Sequence, residues 1–189
     1  RPVVLDRNGA WEAVLENAYD IIVTGEINGE DTLSFKIPYR DGKRGYIDSE
    51  KKIQIVDDVY KVRTVTDTRD TDGSAVTEVY AEAEFYDLTF SVRKEERTFE
   101  AEYPETAMAY ALEGTEWSVG TVTVRTKRTW TSTEKNALSI LRNTADLHGG
   151  DLVFDCPNRL VHLLTVNGRD SGALFAYRKN MKSIQRVVD

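Results

Sequence analysis

Residues 19–38 read YDIIVTGEINGEDTLSFKIP, with two strand-like runs on either side of a turn signal. Tyr19 to Thr24 is rich in β-branched residues, and Asn28-Gly29 is the strongest short signal for a hairpin turn. After the turn, apolar residues alternate with polar ones, as in a strand with one buried face, at Leu33, Phe35 and Ile37. Pro38 closes that strand. The stretch therefore predicts an antiparallel β-hairpin.

The strand pattern continues to about residue 90. Ile53 and Ile55 alternate with polar residues, and Asp57-Asp58 and Asp72-Gly73 are turn signals. The apolar positions of two further strands lie on either side of the second turn: Tyr60, Val62 and Val65 before it, and Val76, Val79 and Ala81 to Phe85 after it, with Asp87-Leu88 closing the segment. This pattern is typical of a small antiparallel barrel or sandwich, and we predict a β-barrel domain over residues 1–90.

From about Ser91 the period changes. The charged stretch Arg93–Arg97 is interpreted as a solvated surface or linker. Pro104 suits the first turn of a helix that ends before Gly114, with its apolar stripe at Ala107, Tyr110, Ala111 and Leu112. The sequence therefore predicts a first short helix here.

A second, clearer helix is predicted after a strand at Val122–Arg125 and a turn around Trp130. Thr131 and Glu134 match a capping box, and Gly149-Gly150 is a stop signal. Apolar residues recur between them at helical spacing, at Leu138, Leu141 and Ala145.

A last hairpin is predicted from Asp151–Asp155 and Leu160–Val166 around Pro157-Asn158. Residues 91–178 are then a small α+β domain, and residues 179–189 the first strand of a truncated second barrel. The fold class we predict is α+β, mainly antiparallel β.

Composition limits the function. The chain has 189 residues with 25 basic and 32 acidic side chains, a formal charge of -7, and no Lys/Arg-rich stripe. Specific nucleic-acid binding is therefore not expected. The single cysteine, Cys156, excludes an internal disulfide, and no run approaches the ~20 apolar residues that span a bilayer.

The sequence gives little support for a metal site or for catalysis by a serine nucleophile. His148, His162 and Cys156 are the nitrogen and sulfur ligands available, and their spacing does not fit a zinc site. We interpret His148 as a helix-terminal residue favoured by the dipole, and His162 as an alternating strand residue. Ser171, within Gly168–Gly172, does not fit a Gly-x-Ser-x-Gly elbow and is interpreted as part of a glycine-rich loop.

Carboxylates and tryptophans offer two further alternatives. Glu82, Glu84 and Asp87 could supply a glycosidase pair, but Glu82 and Glu84 are expected to share a wet strand face at the barrel edge. The tryptophans could form a sugar-stacking platform or serve as core or interface anchors: Trp11, Trp117 and Trp130. We predict no catalytic, cofactor-binding or metal-binding residue.

Several stretches, in order, resemble the prophage endopeptidase tail family, also called the tail-associated lysin or baseplate hub region. The resemblance runs from about Trp11 to Asp189. In the first half it is carried by Leu15–Asp20, Ile27-Asn28-Gly29, Leu33-Ser34-Phe35, Val79-Tyr80-Ala81 and Tyr86-Asp87-Leu88, and in the second half by Gly114–Gly120 around Trp117, Asn136-Ala137-Leu138 and Lys179–Ile184.

The resemblance implies a tail-hub fold, with a first β-barrel, a small α/β domain and a return into a second barrel. It implies a structural adaptor, not an enzyme, at the virion tail tip, assembled in the bacterial cytoplasm. The implied partners are a distal tail or tail tube protein and, in the full-length protein, two further copies in a homotrimer. No membrane partner is implied. The alternatives are a peptidoglycan hydrolase and a carbohydrate-binding module of a tail.

Overall fold

The computed structural model describes residues 1–56, 58–69, 71, 73–166 and 168. The first half consists mainly of strands: β1 Val3–Leu5, β2 Trp11–Val14, β3 Tyr19–Gly25, β4 Asp31–Pro38, β5 Lys52–Ile55, β6 Asp58–Arg69 and β7 Ala75–Ala83. A short 3-10 helix, Arg44–Tyr46, lies between β4 and β5.

These strands form one antiparallel sheet in the order β2-β1-β5-β6-β7-β4-β3, which curls into a half-barrel. The hairpin predicted from residues 19–38 is confirmed, since Val23 pairs with Leu33 and Gly25 with Asp31. The alternating residues of β4 fill the concave side, because Leu33, Phe35 and Ile37 are buried. Each of the two sheet ends, β2 and β3, has a single strand partner in the described part of the chain.

The second half mixes helices with three small sheets. A 3-10 helix, Glu84–Phe90, leads into β8 Val92–Arg93, β9 Arg97–Glu102, α1 Pro104–Leu112, β10 Ser118–Val122, β11 Arg128–Ser132, β12 Lys135–Asn136, α2 Ala137–His148, β13 Asp151–Asp155 and β14 Leu160–Leu164. β10 pairs in parallel with β14, β13 pairs antiparallel with β14, and β9–β11 and β8–β12 are antiparallel pairs. The predicted α+β class, mainly antiparallel β, is confirmed.

Both predicted helices are present, but the start of the second was wrong. Thr131 lies in β11, opposite Thr98, and Glu134 precedes the helix with a φ of +44°. The N-cap is Asn136, whose Oδ1 accepts the Ser139 N–H at 2.8 Å. Strand pairing of residues 128–132 therefore overrides the local capping signal, and Gly149 ends α2 as predicted with a φ of +79°.

Three other strand boundaries differ from the prediction. The strand expected at Val122–Arg125 is β10, which ends at Val122, and Trp130 lies in β11 rather than in a turn. β7 ends at Ala83, so Phe85 belongs to the 3-10 helix. There its ring stacks on Phe154 of β13 at 4.0 Å between centroids. The charged stretch is exposed at Lys94, Glu95 and Glu96 between β8 and β9.

One hydrophobic core runs through both halves of the described chain. In the first half it contains Phe35 and Val62, and in the second it contains Leu138, Leu141 and Val161. No helix of the described residues is long and apolar enough to cross a membrane. The domain boundaries at residues 90 and 178 stay predictions, and the strand expected at residues 179–189 lies outside the described residues.

Candidate functional site

The apolar edge strand β3 is the most exposed regular element of the sheet. Six of its seven residues are exposed, including Ile22 at 58% and Val23 at 48%. β3 pairs with β4 on one side, and the described residues place no strand on its other side. An apolar edge with free backbone groups is a template for another strand, and proteins that must avoid this place Lys, Pro, other charges or a bulge there. β3 has no Lys or Pro, and its one charge, Asp20, and its register irregularity lie at the start of the strand, which leaves Ile22 to Gly25 as a regular apolar edge.

The local sequence explains why β3 is exposed within the described part of the chain. Ile21, Ile22 and Val23 are consecutive, so their side chains point to both faces of the sheet and cannot all reach one core. The register is irregular between Tyr19 and Ile22, and Asp20 between them has a φ of +49°. Such an irregularity bends an edge strand and re-aims its side chains.

The convex face beside β3 carries charges in a row. Lys36 of β4 lies 3.3 Å from Asp20 and 3.6 Å from Glu78 of β7. Tyr80 donates to Glu82 at 3.2 Å, and burial together with the Glu82 charge raises the pKa of Tyr80 to about 12. At neutral pH this phenol is therefore a hydrogen-bond donor on a face that Ile22 shares.

A cleft of about 400 Å³ continues from the end of β3, between the β3–β4 turn and β13. Its polar lining is acidic: Glu26, Glu30, Asp31 and Asp58. Burial raises the pKa of Asp31, which accepts the Tyr60 hydroxyl at 3.0 Å. Val23, Ile27 and Phe154 supply apolar walls. We call this the acidic cleft.

Asn28, at the tip of the β3–β4 turn, fixes the walls of the acidic cleft. Its Oδ1 accepts the Leu152 N–H at 2.6 Å, and its Nδ2 donates to the Gly150 carbonyl at 3.0 Å. Arg142 of α2 donates to the Gly29 carbonyl at 2.6 Å. The Asn28-Gly29 turn, which the sequence predicts as a hairpin turn, therefore also joins the sheet to the second half of the chain.

The three carboxylates considered as a glycosidase pair are ion-paired instead. Glu84 is 8% exposed in the 3-10 helix, with Lys52 at 2.7 Å and Arg159 at 3.4 Å. Glu82 lies in β7, a central strand, and pairs with Arg63 at 3.0 Å. The expectation that Glu82 and Glu84 share a wet strand edge was therefore wrong, because the chain leaves the sheet at Ala83.

Asp87 has a depressed pKa that makes stability depend on pH. Burial alone would raise the pKa, but the hydrogen bond from Arg63 at 2.6 Å and the charges of Lys61 and Arg63 outweigh it, so the pKa lies below its ordinary 3.8. This stabilisation is present above the unfolded-state pKa and is lost as pH falls through the folded-state value. Because Asp87 is partly exposed, solvent screening keeps the effect small, and we expect Asp87→Asn to cost about 1 kcal/mol at pH 7 and less at pH 2, where more of the carboxyl is protonated. Urea unfolding of both proteins at the two pH values checks this, and an equal difference at both would contradict it.

The two histidines are held in structural contacts. His148, the last residue of α2, is 4% exposed, and its Nδ1 lies 2.9 Å from the Thr126 carbonyl. His162 lies in β14 as predicted, and its Nδ1 accepts the Thr121 N–H at 2.8 Å. Within the described ranges, no three His, Cys, Asp or Glu side chains form a metal-binding group. Ser171 lies outside the described residues.

Cys156 is partly buried beside Glu84. Burial first, and the Glu84 charge second, raise the pKa of the thiol to about 11. Because the thiolate is the reactive form, we expect a disulfide reagent at pH 8 to modify the native protein roughly a hundredfold more slowly than the urea-unfolded protein. Ellman's assay with and without urea measures this ratio. Equal rates would show that the thiol is accessible and normally acidic in the folded state.

The tryptophans do not form a common platform. Trp117 is 6% exposed and packs edge-on against Phe154, and Trp130 tilts against Phe99 with 4.9 Å between centroids. Trp11, on β2, is 71% exposed. The interpretation as core anchors is confirmed for Trp117. Because this ring is buried, it is not available for sugar stacking. No interface residue is predicted from the sequence, although the three consecutive β-branched residues Ile21, Ile22 and Val23 of β3 are a usable signal.

Comparisons with known proteins agree with this architecture. The model of the prophage endopeptidase tail N-terminal domain matches residues 2–83, and that of the prophage endopeptidase tail domain matches residues 91–163. A search of curated protein sequences gave no match.

Solved tail proteins share the fold. The crystal structure of prophage tail protein gp18 from Listeria monocytogenes EGD-e has a TM-score of 0.75 at 14% identity, covering 96% of this chain and 56% of that one. The 43 kDa tail protein of prophage MuSo2 from Shewanella oneidensis has a TM-score of 0.61 at 10% identity, with coverages of 96% and 59%. The tail protein from Neisseria meningitidis MC58 has 0.55 at 12%, with coverages of 92% and 52%.

The chain thus spans between half and three fifths of the length of these tail proteins. At such low identity they establish the fold, and the two domain models, which together match most of the chain in sequence order, establish the family. The chain belongs to the prophage endopeptidase tail family and is a structural part of a phage tail.

Proposed function

We propose that this chain is part of a tail-tip or baseplate hub, an adaptor between the tail tube or distal tail ring and the host-facing parts of the virion. The observation that carries the proposal is the exposed apolar edge strand β3, which offers a docking surface on a rigid sheet. In the longer protein, we propose a homotrimer as the assembled form. Assembly takes place in the bacterial cytoplasm.

The proposed role is architectural and not catalytic. The residues weighed for catalysis are held in ion pairs, hydrogen bonds or partly buried contacts: Glu82, Glu84, His148, His162 and Cys156. "Endopeptidase" in the family name is a label for the family and assigns no reaction to these residues.

Co-expression tests the adaptor role. The chain is produced together with a candidate tail tube protein and a candidate distal tail protein of the same phage, and complexes are isolated by affinity and size-exclusion chromatography. We expect a stoichiometric complex with one of the two. Ile22→Lys is expected to weaken this complex, because a charge would have to be desolvated on the docking strand.

Leu147→Lys is the matched control, since Leu147 is an exposed apolar residue on α2. This variant is expected to bind as the unchanged protein does. Absence of any complex with either tail protein, in the full-length as well as the 189-residue chain, would count against the adaptor role. Light scattering of the full-length protein tests the trimer separately.

A further inference from the structure

The edge of β3 and the acidic cleft form one continuous surface. Val23 and Gly25 belong to the strand and also line the cleft, so a segment lying along β3 would reach the cleft within a few residues. An added strand bonds to the edge through its backbone, and its alternate side chains select the sequence. This surface therefore suits an extended segment better than a helix.

The charge of the cleft selects the partner's chemistry. Four carboxylates line it, and none of its lining residues is Lys, Arg or His. Glu26 and Glu30 are exposed and form no ion pair with any described residue. A cationic side chain entering the cleft would meet the negative field of these carboxylates, which Arg142, hydrogen-bonded to the Gly29 carbonyl at the cleft edge, offsets in part.

A second copy of β3 fits this surface poorly. β3 carries no Lys or Arg, so a second copy lying along it would offer the acidic cleft no cation. It would instead bring a second acidic turn, with Glu26 and Glu30, to the docking surface. The charge pattern thus favours a different chain over self-pairing.

We infer that the β3 edge binds an extended segment of another tail protein, with alternating apolar residues along β3 and a Lys or Arg in the acidic cleft. This inference rests on the proposed adaptor function and adds the mode of binding and the chemistry of the partner. The apolar residues pack on Ile22 and Val23, and the cation pairs with Glu26 and Glu30.

Labelled peptides test this inference on the 189-residue chain by fluorescence anisotropy. The probe has eight alternating Val and Thr residues followed by two Lys, and the matched probe ends in two Glu. Two further probes have the Lys ending and N-methyl groups on alternate residues. One probe is methylated at the odd positions and the other at the even positions. We expect binding of the Lys probe, at least about tenfold weaker binding of the Glu probe, and loss of binding in one N-methyl register but not the other.

Charge-reversal variants locate the site. The double variant Glu26→Lys, Glu30→Lys is expected to bind the Lys probe about tenfold more weakly than the unchanged chain does, and to bind the Glu probe more tightly than the Lys probe. Glu100→Lys with Glu113→Lys makes the same charge change on exposed residues of the second half and is expected to leave the preference unchanged. Hydrogen exchange should slow in β3 when the Lys probe binds.

Three results would overturn the inference: no binding of the Lys probe, equal binding of all probes, or equal effects of the two double variants. The adaptor role would still stand after any of these results if the chain formed a complex with a tail protein and the Glu26→Lys, Glu30→Lys variant formed it equally well. Absence of any complex with a tail protein, with peptide binding intact, would instead reject the adaptor role.

Discussion

Phe85→Ala is expected to lower the free energy of unfolding by about 3–5 kcal/mol, the largest effect we predict for one substitution. Phe85 is 4% exposed and stacks on Phe154 of β13 and on Tyr86 at 4.0 and 4.8 Å between centroids. Truncation leaves a cavity where the sheet and the second half meet. Urea unfolding followed by fluorescence and by far-UV circular dichroism measures the loss.

Phe85→Leu keeps most of the volume and is expected to cost less than half as much. A double-mutant cycle with Phe154→Ala should show a coupling between the two rings of about 0.5–1.5 kcal/mol. If fluorescence and far-UV circular dichroism report one shared transition in every variant, the two halves of the chain unfold together. A Phe85→Ala loss below about 1 kcal/mol would contradict the packing described here.

Asn28→Ala is expected to cost about 2–4 kcal/mol, from two sources. The variant leaves the Leu152 N–H and the Gly150 carbonyl without their partner in the turn. It also forces a Cβ-bearing residue other than Asn to hold a φ of +58°. Thermal and urea unfolding measure the loss.

Asn28→Gly separates the two sources, because glycine adopts a positive φ without strain but cannot make the two hydrogen bonds. We expect it to recover about 1 kcal/mol relative to Asn28→Ala. Asn17→Ala removes an exposed hydrogen bond to Asp41 and serves as the control, with an expected change of less than about 0.5 kcal/mol. Equal stability of the Asn28 and Asn17 variants would show that the turn does not join the halves.

Phe85 and Asn28 would also orient the docking surface that we propose. Phe85 and Asn28 hold β13 against the end of the β3–β4 hairpin, and the acidic cleft lies between them. A tail adaptor must present its contact surfaces in a fixed relative orientation, which a single core and a hydrogen-bonded turn can supply.

Much of the local architecture was predictable from neighbouring residues. The β3–β4 hairpin followed from Asn28-Gly29 between two β-rich runs, and the end of α2 followed from Gly149-Gly150 after an apolar stripe. These signals are readable because turn chemistry and side-chain period act over a few residues. The family was readable for a related reason, since several such local stretches occur in a characteristic order.

The acidic cleft and the junction between the two halves depend on long-range packing, which appears only in the tertiary structure. Glu84 is buried because the chain leaves the sheet after Ala83 and meets Arg159, far away in sequence. Asn136, and not Thr131, caps α2 because β11 pairs with β9 and uses Thr131 in a strand. The acidic cleft joins carboxylates from separate segments to a wall formed by β13. Pairings over such separations are set by global packing, which leaves no period or spacing in the local sequence to read.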